Sequence, residues 1–272
     1  MASLSALLAE RYGAEQPAAA LPDHPLLTQL LSHRSVRAYL EQPLPAGTLE
    51  ALVAAAQSAS TSSNLQTWSV VAVQDPARKA RLARLASDQA QIHAAPLFLV
   101  WLADLARLRQ MAGAQEAQAE GTDFLEALLV AVIDAALAAQ NALVAAEALG
   151  LAGVYIGAIR NQPEAVAAEL GLPAGVLPVF GMCIGFEDPA RAAAIKPRLA
   201  QAAVLHHEHY DQAAQLPAAG RYDARMQAFY QQQGMKQSSW LRACVARMRD
   251  AAALHGREHL AAALQRLGFP LR

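Results

Sequence analysis

The chain of 272 residues carries a formal net charge of -1, and 54% of its residues are hydrophobic against 17% charged. This composition excludes a disordered chain, and the length allows a well-buried core in one large domain or two small ones. The near-neutral charge argues against a general nucleic-acid-binding protein. Cys183 and Cys244 have no metal-binding spacing, and the N-terminus lacks the basic start of a signal peptide. We therefore expect a cytoplasmic protein without disulfides.

The first part of the chain predicts four helices and two strands around one polar loop. Helices are expected from Leu4 to Tyr12, from Pro25 to Ser32, from Thr48 as N-cap to about Ser58, and from Pro76 to Leu85. Strands are expected from Thr67 to Val73, where β-branched residues alternate, and from Leu97 to Ala103, a continuous apolar run. Residues 58–64, between the third helix and the first strand, are mostly small hydroxyl side chains that can donate several hydrogen bonds to a ligand.

The longest periodic segment runs from Thr122, a possible N-cap, to Leu149. A membrane-spanning helix needs about 20 predominantly apolar residues, and this segment is long enough. However, Asp134 and the pair Gln140-Asn141 interrupt its apolar stretch, and no basic residues flank it. The sequence therefore favours a buried helix of a soluble protein. Its small alanines would also allow the close approach of a second helix in a dimer.

The second half of the chain predicts two more strands and a helical end. Strands are expected from Gly153 to Gly157 and from Val176 to Phe186, the latter interrupted by Pro178. A short helix is expected from Pro163 to Leu170, and the chain beyond His206 is mostly helical, with breaks near residues 217–220, 234 and 256. No GxGxxG follows a first strand, so a standard Rossmann fold is not expected.

Three separate segments carry polar groups that suit one ligand. His33-Arg-Ser-Val-Arg37 concentrates two guanidinium groups, an imidazole and a hydroxyl, which are donors that bind phosphate. The hydroxyl loop, residues 60–66, can bind a polyol, and Lys196-Pro-Arg198 is a second basic turn. Gly157 would let a flat ligand approach the backbone. Each segment alone is more typical of a solvated turn or a linker, but together they predict a phosphorylated, flat ligand such as flavin mononucleotide (FMN).

At these motifs the sequence resembles the FMN-dependent nitroreductases, in particular the oxygen-insensitive NADPH nitroreductases and related bacterial flavin reductases. The resemblance extends from about Leu26 to the C-terminus, and the order and spacing of the motifs are specific although no single motif is. The matching segments are residues 33–37, 60–66, 140–143, 147–157, 177–185 and 196–199.

The resemblance implies an α+β fold, in which helices wrap an antiparallel sheet and one long helix is central. It implies an intertwined homodimer with FMN at the interface. Residues 1–24 would then be an N-terminal extension, and residues 25–272 would form the FMN-binding domain, including a mostly helical excursion at about residues 206–272.

The same resemblance assigns the cofactor-binding residues. His33, Arg34, Ser35, Lys196 and Arg198 would hold the phosphate and its surroundings, and Arg37 would lie near N1 and O2 of the isoalloxazine. The remaining expected contacts are Ser60, Thr61, Ser62 and Gln66 along the cofactor, Gln89 at the ring edge, and Tyr155, Ile156, Gly157 and Ala158 past the ring.

The implied activity is ping-pong transfer of two electrons from NADPH or NADH, through FMN, to a nitroaromatic or quinone. No catalytic side chain and no metal are expected, and Arg37 would stabilise the negative charge of the reduced flavin. Two other functions stay open: a reductase that releases reduced FMN, and a flavin-binding protein without turnover. In relatives, the region that corresponds to residues 231–239 carries several arginines that bind the NADPH 2′-phosphate. In this chain Lys236 is the only basic residue of that region, and Arg225 and Arg242 flank the region. We therefore expect weak discrimination between NADPH and NADH.

Other polar residues are given structural roles. Asp134, Gln140 and Asn141 are expected to make interhelical or dimer hydrogen bonds. Trp68, Trp101 and Cys183 are expected in the core. The histidine groups at residues 206–209 and 255–259 match no metal-binding pattern and are expected at the surface.

Overall fold

A four-stranded antiparallel sheet with the order β1-β2-β4-β3 positions most of the polar segments. The computed structural model describes residues 2–17 and 20–272. The strands are β1 Trp68–Val73, β2 Leu97–Asp104, β3 Ala152–Ile156 and β4 Val176–Gly185. β2 and β4 occupy the middle of the sheet and are almost entirely buried, which explains their continuous apolar runs. All four strands were predicted from the sequence.

Pro178 does not interrupt β4, contrary to the prediction. The pairing register with β2 shifts between Trp101 and Leu102, so that Val179 has no residue opposite it. Proline cannot donate a ladder hydrogen bond, and a bulge is one of the places where a sheet tolerates it. The irregular pairing beside Pro178 therefore lets the strand continue.

The helices agree closely with the sequence signals at four positions. α1 Leu4–Tyr12, α2 Pro25–Ser32, α4 Pro76–Leu85 and α8 Pro163–Leu170 have the predicted bounds, and three of them begin with a proline, whose fixed φ suits the first turn. α3 starts at Thr48, but its N-cap is Gly47, so the predicted Thr48 cap is wrong. The other helices are α3 Thr48–Gln57, α5 Ala90–Ala94, α6 Ala106–Ala114, α7 Leu125–Ala148, α9 Gln215–Gln232, α10 Trp240–Arg247 and α11 Leu260–Arg266.

The long helix α7 begins three residues later than predicted. Thr122 does not cap it, because residues Glu120–Asp123 form a 3-10 turn. The Thr122 hydroxyl instead donates to the Ala119 carbonyl and accepts from Arg109, both at 2.8 Å.

The alanines of α7 pack inside the chain. Six of them are buried, at residues 131, 135, 138, 139, 142 and 146, and the helix contacts α3 and β2. These six alanines face the protein's own core and cannot form the expected dimer interface. Ala136 and Ala148 are exposed, so a dimer contact through small residues of α7 stays a prediction at those positions. By length and composition α7 could cross a membrane. Its packing is that of the core helix of a soluble protein, as predicted.

The chain divides into two compact units. The sheet unit comprises Ser35–Ala192 and His255–Arg272, and the helical unit comprises Met1–Arg34 and Ala193–Leu254. In the sheet unit, Trp68 and Trp101 lie in the core with ring centroids 5.5 Å apart. A Cβ at Gly181 would lie 2.3 Å from the Phe98 ring, so this position requires glycine. Cys183 is fully buried, as expected.

The helical unit is built around α9. Tyr222, Met226 and Tyr230 form its buried face, and the Trp240 ring meets Tyr222 edge-on at 4.9 Å. The predicted break near residues 217–220 is wrong, because α9 continues through them. Pro217 lies in the first turn, where backbone N–H groups have no intrahelical partner in any case.

Candidate functional site

The second half of the His33–Arg37 motif runs beside the edge strand β3. Ser35 forms a parallel bridge with Gly153, and the Val36 N–H donates to the Gly153 carbonyl at 3.1 Å. Val36 is buried while Ser35 and Arg37 are exposed, which is the alternation of an extended segment. The Tyr39 hydroxyl donates to the Val36 carbonyl at 2.8 Å and fixes the segment from below. Two polar side chains are thus presented on one side of a rigid backbone.

The same edge of the sheet continues into the turn that was predicted to pass a flavin ring. Tyr155 is the exposed residue of β3, and its hydroxyl donates to Gln140 at 3.3 Å. Burial, followed by the nearby Glu147 carboxylate, raises the pKa of Tyr155, so the phenol stays neutral. The side chains of Ile156 and Ala158 are buried, so these residues can offer only backbone groups to a ligand.

Glycine at position 157 is not required by packing within the chain. A Cβ there would meet only the Arg160 guanidinium, at an ordinary distance of 3.5 Å. Close approach of a flat ligand to this half-buried backbone stays a prediction.

Gln89 lies in a turn that is tied to the segment after β3. The turn contains two positive-φ residues, Ser87 and Asp88, and the Asn161 amide donates to the Ser87 hydroxyl at 2.9 Å. The Gln89 side chain donates to the Ala86 carbonyl at 3.2 Å and accepts from Gln91.

The hydroxyl loop is held from inside by Asp134. This carboxylate is 1% exposed and accepts hydrogen bonds from the Ser62 N–H at 3.1 Å, the Thr67 N–H at 3.0 Å and the Thr67 hydroxyl at 2.9 Å. The expectation that Asp134 makes interhelical or dimer bonds is therefore wrong, because it anchors a loop. Asn141 does make the expected interhelical bond, to the Ala55 carbonyl of α3 at 3.2 Å.

The loop conformation is strained and leaves its hydroxyls outward. Ser63, Asn64 and Gln66 have positive φ, a region that residues other than glycine rarely adopt. The side chains of Ser60 and Ser62 are exposed, and Thr61 is half-buried. A cavity of about 490 Å³ lies beside the loop, with Ser62 among the residues that line it. The fixed backbone can therefore present hydroxyl donors to a ligand.

The remaining basic residues belong to the helical unit. His33, Arg34 and Lys196 are half-buried, and Arg198 is exposed. The backbone of both segments is held by Arg11 of α1, which donates to the carbonyls of His33 and Lys196. Arg11 was not predicted, because an arginine in the last turn of a short helix gives no sequence signal of its buried position.

The donor set fits FMN in kind. Cationic side chains and hydroxyls suit a phosphate and a ribityl chain, and an open backbone beside an exposed tyrosine suits a flat ring. In the part of the chain that the structure describes, no group of three or more His, Cys, Asp or Glu residues could hold a metal ion. His206 stacks on Tyr210 at 4.6 Å, and His259 lies beside Glu258.

Comparison with known families decides the assignment. The model of the nitroreductase family matches residues 30–186, and that of the nitroreductase family C-terminal domain matches residues 196–272. The chain belongs to the nitroreductase family. The predicted family is thereby confirmed.

Relatives and a solved structure agree with this membership. The chain is 40% identical over 210 residues to the oxygen-insensitive NADPH nitroreductase of Salmonella typhimurium, covering 77% of this chain and 84% of the relative. It is 38% identical over 216 residues to the FMN reductase (NADPH) of Bacillus subtilis, covering 78% and 86%. The structure of B. megaterium NfrA2 superimposes with a TM-score of 0.86 at 34% identity, covering 92% of this chain and all of that one. The α+β nitroreductase fold is thereby confirmed as well.

Proposed function

We propose that this nitroreductase-family chain is an FMN-dependent oxidoreductase that passes two electrons from NADPH or NADH to small acceptors such as nitroaromatics and quinones. The observation that carries the proposal is the edge of β3. There the exposed Ser35 and Arg37 run beside the strand that leads to Tyr155 and the open backbone of Gly157. The relatives named above are an NADPH nitroreductase and an FMN reductase, which supports the same chemistry.

We propose that the phosphate end of FMN is bound by two separate segments of the chain, residues 33–35 and residues 196–198. His33, Arg34, Lys196 and Arg198 provide the charge, and Ser35 adds a hydroxyl. His33, Arg34 and Lys196 are half-buried and Arg198 is exposed, and this supports the proposal. Guanidinium groups bind phosphate oxygens in pairs, and lysine adds a compact charge.

The ring and the ribityl chain would be bound mainly by residues of the sheet unit. Bound FMN would supply hydride acceptance and two-electron transfer, which no side chain can provide. Arg37 holds a permanent positive charge at the redox end and stabilises negative charge that develops there. The neutral Tyr155 and the backbone of residues 156–158 would line the ring, with Gln89 at its edge. The hydroxyl loop, through Ser60, Thr61, Ser62 and Gln66, would orient the rest of the cofactor.

We propose that the protein is a homodimer with FMN at the interface. The outer face of α7 carries an apolar stripe at intervals of four residues: Leu125, Leu129, Ile133 and Leu137, each 43–55% exposed. A stripe of this size is unusual on a monomer and typical of a surface that a partner covers. The buried alanines stay out of this interface. We also propose that the protein is cytoplasmic, which its two free cysteines support.

We propose that NADPH and NADH are both electron donors. Arg225, one of the basic residues near residues 231–239, is committed to the Tyr12 and Arg198 carbonyls and to Glu15. Lys236 and Arg242 are the exposed basic residues there in the described chain. Comparison of kcat/KM for the two donors tests this, and a preference of several hundredfold for NADPH would contradict it.

The test of the function begins with the purified protein. It should be yellow, and the colour should bleach when NADPH or NADH is added without oxygen and return on adding a nitroaromatic or a quinone. A colourless protein that takes up no added FMN would refute the proposal. Yellow protein that neither donor bleaches would favour a flavin-binding protein without turnover. Loss of the reduced flavin on a desalting column would favour a reductase that supplies free flavin. An anaerobic acceptor screen then identifies the acceptors.

A further inference from the structure

The buried arginine of α1 contacts both of the segments that carry the phosphate-binding cations. Arg11 is 4% exposed. Its Nε donates to the Leu31 carbonyl at 3.0 Å, one terminal nitrogen donates to the His33 carbonyl at 2.6 Å, and the other donates to the Lys196 carbonyl at 2.8 Å. The clamp segments, residues 31–34 and 196–198, are far apart in the sequence and are joined through this one guanidinium. All of these residues belong to the helical unit.

The backbone of the same turn adds two more links. The Arg198 N–H donates to the Arg11 carbonyl at 2.8 Å. Arg225 of α9 donates to the carbonyls of Tyr12 and Arg198, the latter at 2.6 Å. The C-terminal turn of α1 is thus bonded to the clamp segments by both main chain and side chain. An exposed surface helix would not need a buried cation at this position, since arginine is rarely buried without partners.

The direction of these bonds matters for an anion. Carbonyl oxygens carry partial negative charge and would repel a phosphate. Arg11 draws the His33 and Lys196 carbonyls towards itself and so turns them away from such a ligand. In a trans peptide the N–H points opposite to the carbonyl, so the Arg34 N–H, in the same peptide unit as the His33 carbonyl, points away from Arg11. The guanidinium therefore fixes the polarity of the clamp backbone as well as its spacing.

We infer that Arg11 is a positioning residue for the phosphate end of the flavin site, acting through the backbone of the clamp segments without touching the ligand. This inference rests on the proposed function, because it takes the clamp segments as the phosphate site. It gives the N-terminal segment, an expected extension relative to the family, a role in cofactor selection. The consequence is specific: Arg11 contributes to the preference for a flavin with a phosphate over a flavin without one.

Riboflavin provides the probe, because it has the ring and ribityl chain of FMN without the phosphate. The measurement uses the full-length holoprotein and determines how much riboflavin displaces half of the bound FMN, by chromatographic separation of the two flavins that stay on the protein. In Arg11→Met, three hydrogen bonds and the charge are lost. We expect the riboflavin concentration needed to fall by about tenfold or more. Arg11→Lys keeps the charge with one donor group, and we expect a smaller fall of about threefold.

Arg221→Met is the matched control. Arg221 also links the N-terminal segment to α9, through Glu15 at 2.7 Å, and within the described residues its hydrogen bonds do not reach either clamp segment. This variant should leave the displacement ratio unchanged. The displacement ratio is the riboflavin concentration that displaces half of the bound FMN, divided by the FMN concentration. A purely structural role for Arg11 would weaken the binding of both flavins equally and leave the ratio as in the parent, which would overturn the inference. If Arg11→Met gives no soluble protein, an unchanged ratio in Arg11→Lys overturns it instead.

Direct variants separate this inference from the proposed function. Lys196→Met and Arg198→Met remove cations that are proposed to touch the phosphate, so both should lower the displacement ratio. If neither variant changes it, the proposed phosphate site is wrong. If both lower it and Arg11→Met does not, the site stands and the role of Arg11 is refuted.

Discussion

The two polar regions of the molecule are held from inside by buried charges of opposite sign. In the helical unit, the guanidinium of Arg11 takes up backbone carbonyls of the clamp segments. In the sheet unit, the carboxylate of Asp134 accepts hydrogen bonds from the N–H group of Ser62 in the hydroxyl loop and from that of Thr67, which directly follows the loop. Because Arg11 holds the carbonyls of the clamp segments on its own side, the opposite side of that backbone is favourable to an anion. An anion that binds N–H groups leaves the loop to act through its hydroxyl side chains.

This difference fits the two ends of the proposed ligand. A phosphate requires fixed positive charge, which the clamp segments supply. A ribityl chain carries neutral hydroxyls and requires neutral partners, which Ser60 and Ser62 supply from an exposed position. In both regions the buried charge sets the backbone that is proposed to contact the ligand. The following changes would break or sharpen this contrast.

The largest effect is expected at Asp134. Asp134→Ala leaves two N–H groups and one hydroxyl without their acceptor, and each unsatisfied group costs about 1–3 kcal/mol when buried. We expect the free energy of unfolding to fall by about 3 kcal/mol, measured by urea denaturation, because Thr67 is buried whereas Ser62 is exposed and water can replace the acceptor of its N–H. Asp134→Asn keeps one acceptor oxygen and should lose about half as much.

Glu126→Gln is the control on the same helix. Glu126 is exposed on α7, so its replacement should change the free energy of unfolding by less than about 0.5 kcal/mol. Equal stability of Asp134→Ala and Glu126→Gln would show that the loop does not depend on its buried anchor.

Arg37 distinguishes the redox end of the site from the phosphate end. Arg37→Ala removes an exposed cation whose neighbours stay in place, since Val36 and Tyr39 hold the backbone. We expect the anaerobic rate of flavin reduction by NADPH to fall by about tenfold or more, which corresponds to about 1.4 kcal/mol. The displacement ratio between FMN and riboflavin should stay within about twofold of the parent's. Equal loss of both quantities would remove the division of roles.

Replacement of Arg225 tests whether this second arginine supports the clamp segments less than Arg11 does. It is less buried, with 21% of its side chain exposed, and it holds the carbonyls of Tyr12 and Arg198. Arg225→Met should lower the free energy of unfolding by about 1–2 kcal/mol, because two backbone hydrogen bonds are lost. Its effect on the flavin displacement ratio should be smaller than that of Arg11→Met. A larger effect would make Arg225 the main support of the clamp segments.

The smallest effect is expected from Asp223 and depends on pH. Burial raises the pKa of this carboxyl, but hydrogen bonds from the Leu241 N–H and Gln227 outweigh it and hold the pKa below its ordinary value of 3.8. A carboxyl whose pKa is lower in the folded state stabilises that state above its unfolded pKa, and the contribution is lost as pH falls through the folded pKa.

Urea denaturation of Asp223→Asn at two pH values measures this contribution. The variant should be less stable than the parent at pH 7, and the gap should narrow at about pH 3. If the difference in stability between the parent and Asp223→Asn widens in acid, folding does not lower the pKa of Asp223 and the prediction is wrong.

Local signals were sufficient for most of the secondary structure. Prolines at the first turns of α2, α4 and α8 and apolar runs in β2 and β4 gave their positions directly. The errors at Thr48, Thr122, Pro178 and Pro217 share one cause: a residue with a strong local preference was placed by its surroundings instead. Thr122 binds Arg109, and Pro178 lies beside a bulge that exists only because β4 pairs with β2.

The His33–Arg37 motif shows the same division within five residues. The sequence by itself determined the family, the fold class and the chemical character of the donors, because these follow from residue types in a specific order. Tertiary structure alone decided that Val36 turns inward beside β3 while Ser35 and Arg37 stay outside. It also decided that Arg11 and Asp134 are the buried supports. Burial and hydrogen-bond partners come from distant parts of the chain, as with Arg11 and Lys196, whose positions differ by 185 in the sequence, and no local pattern records them.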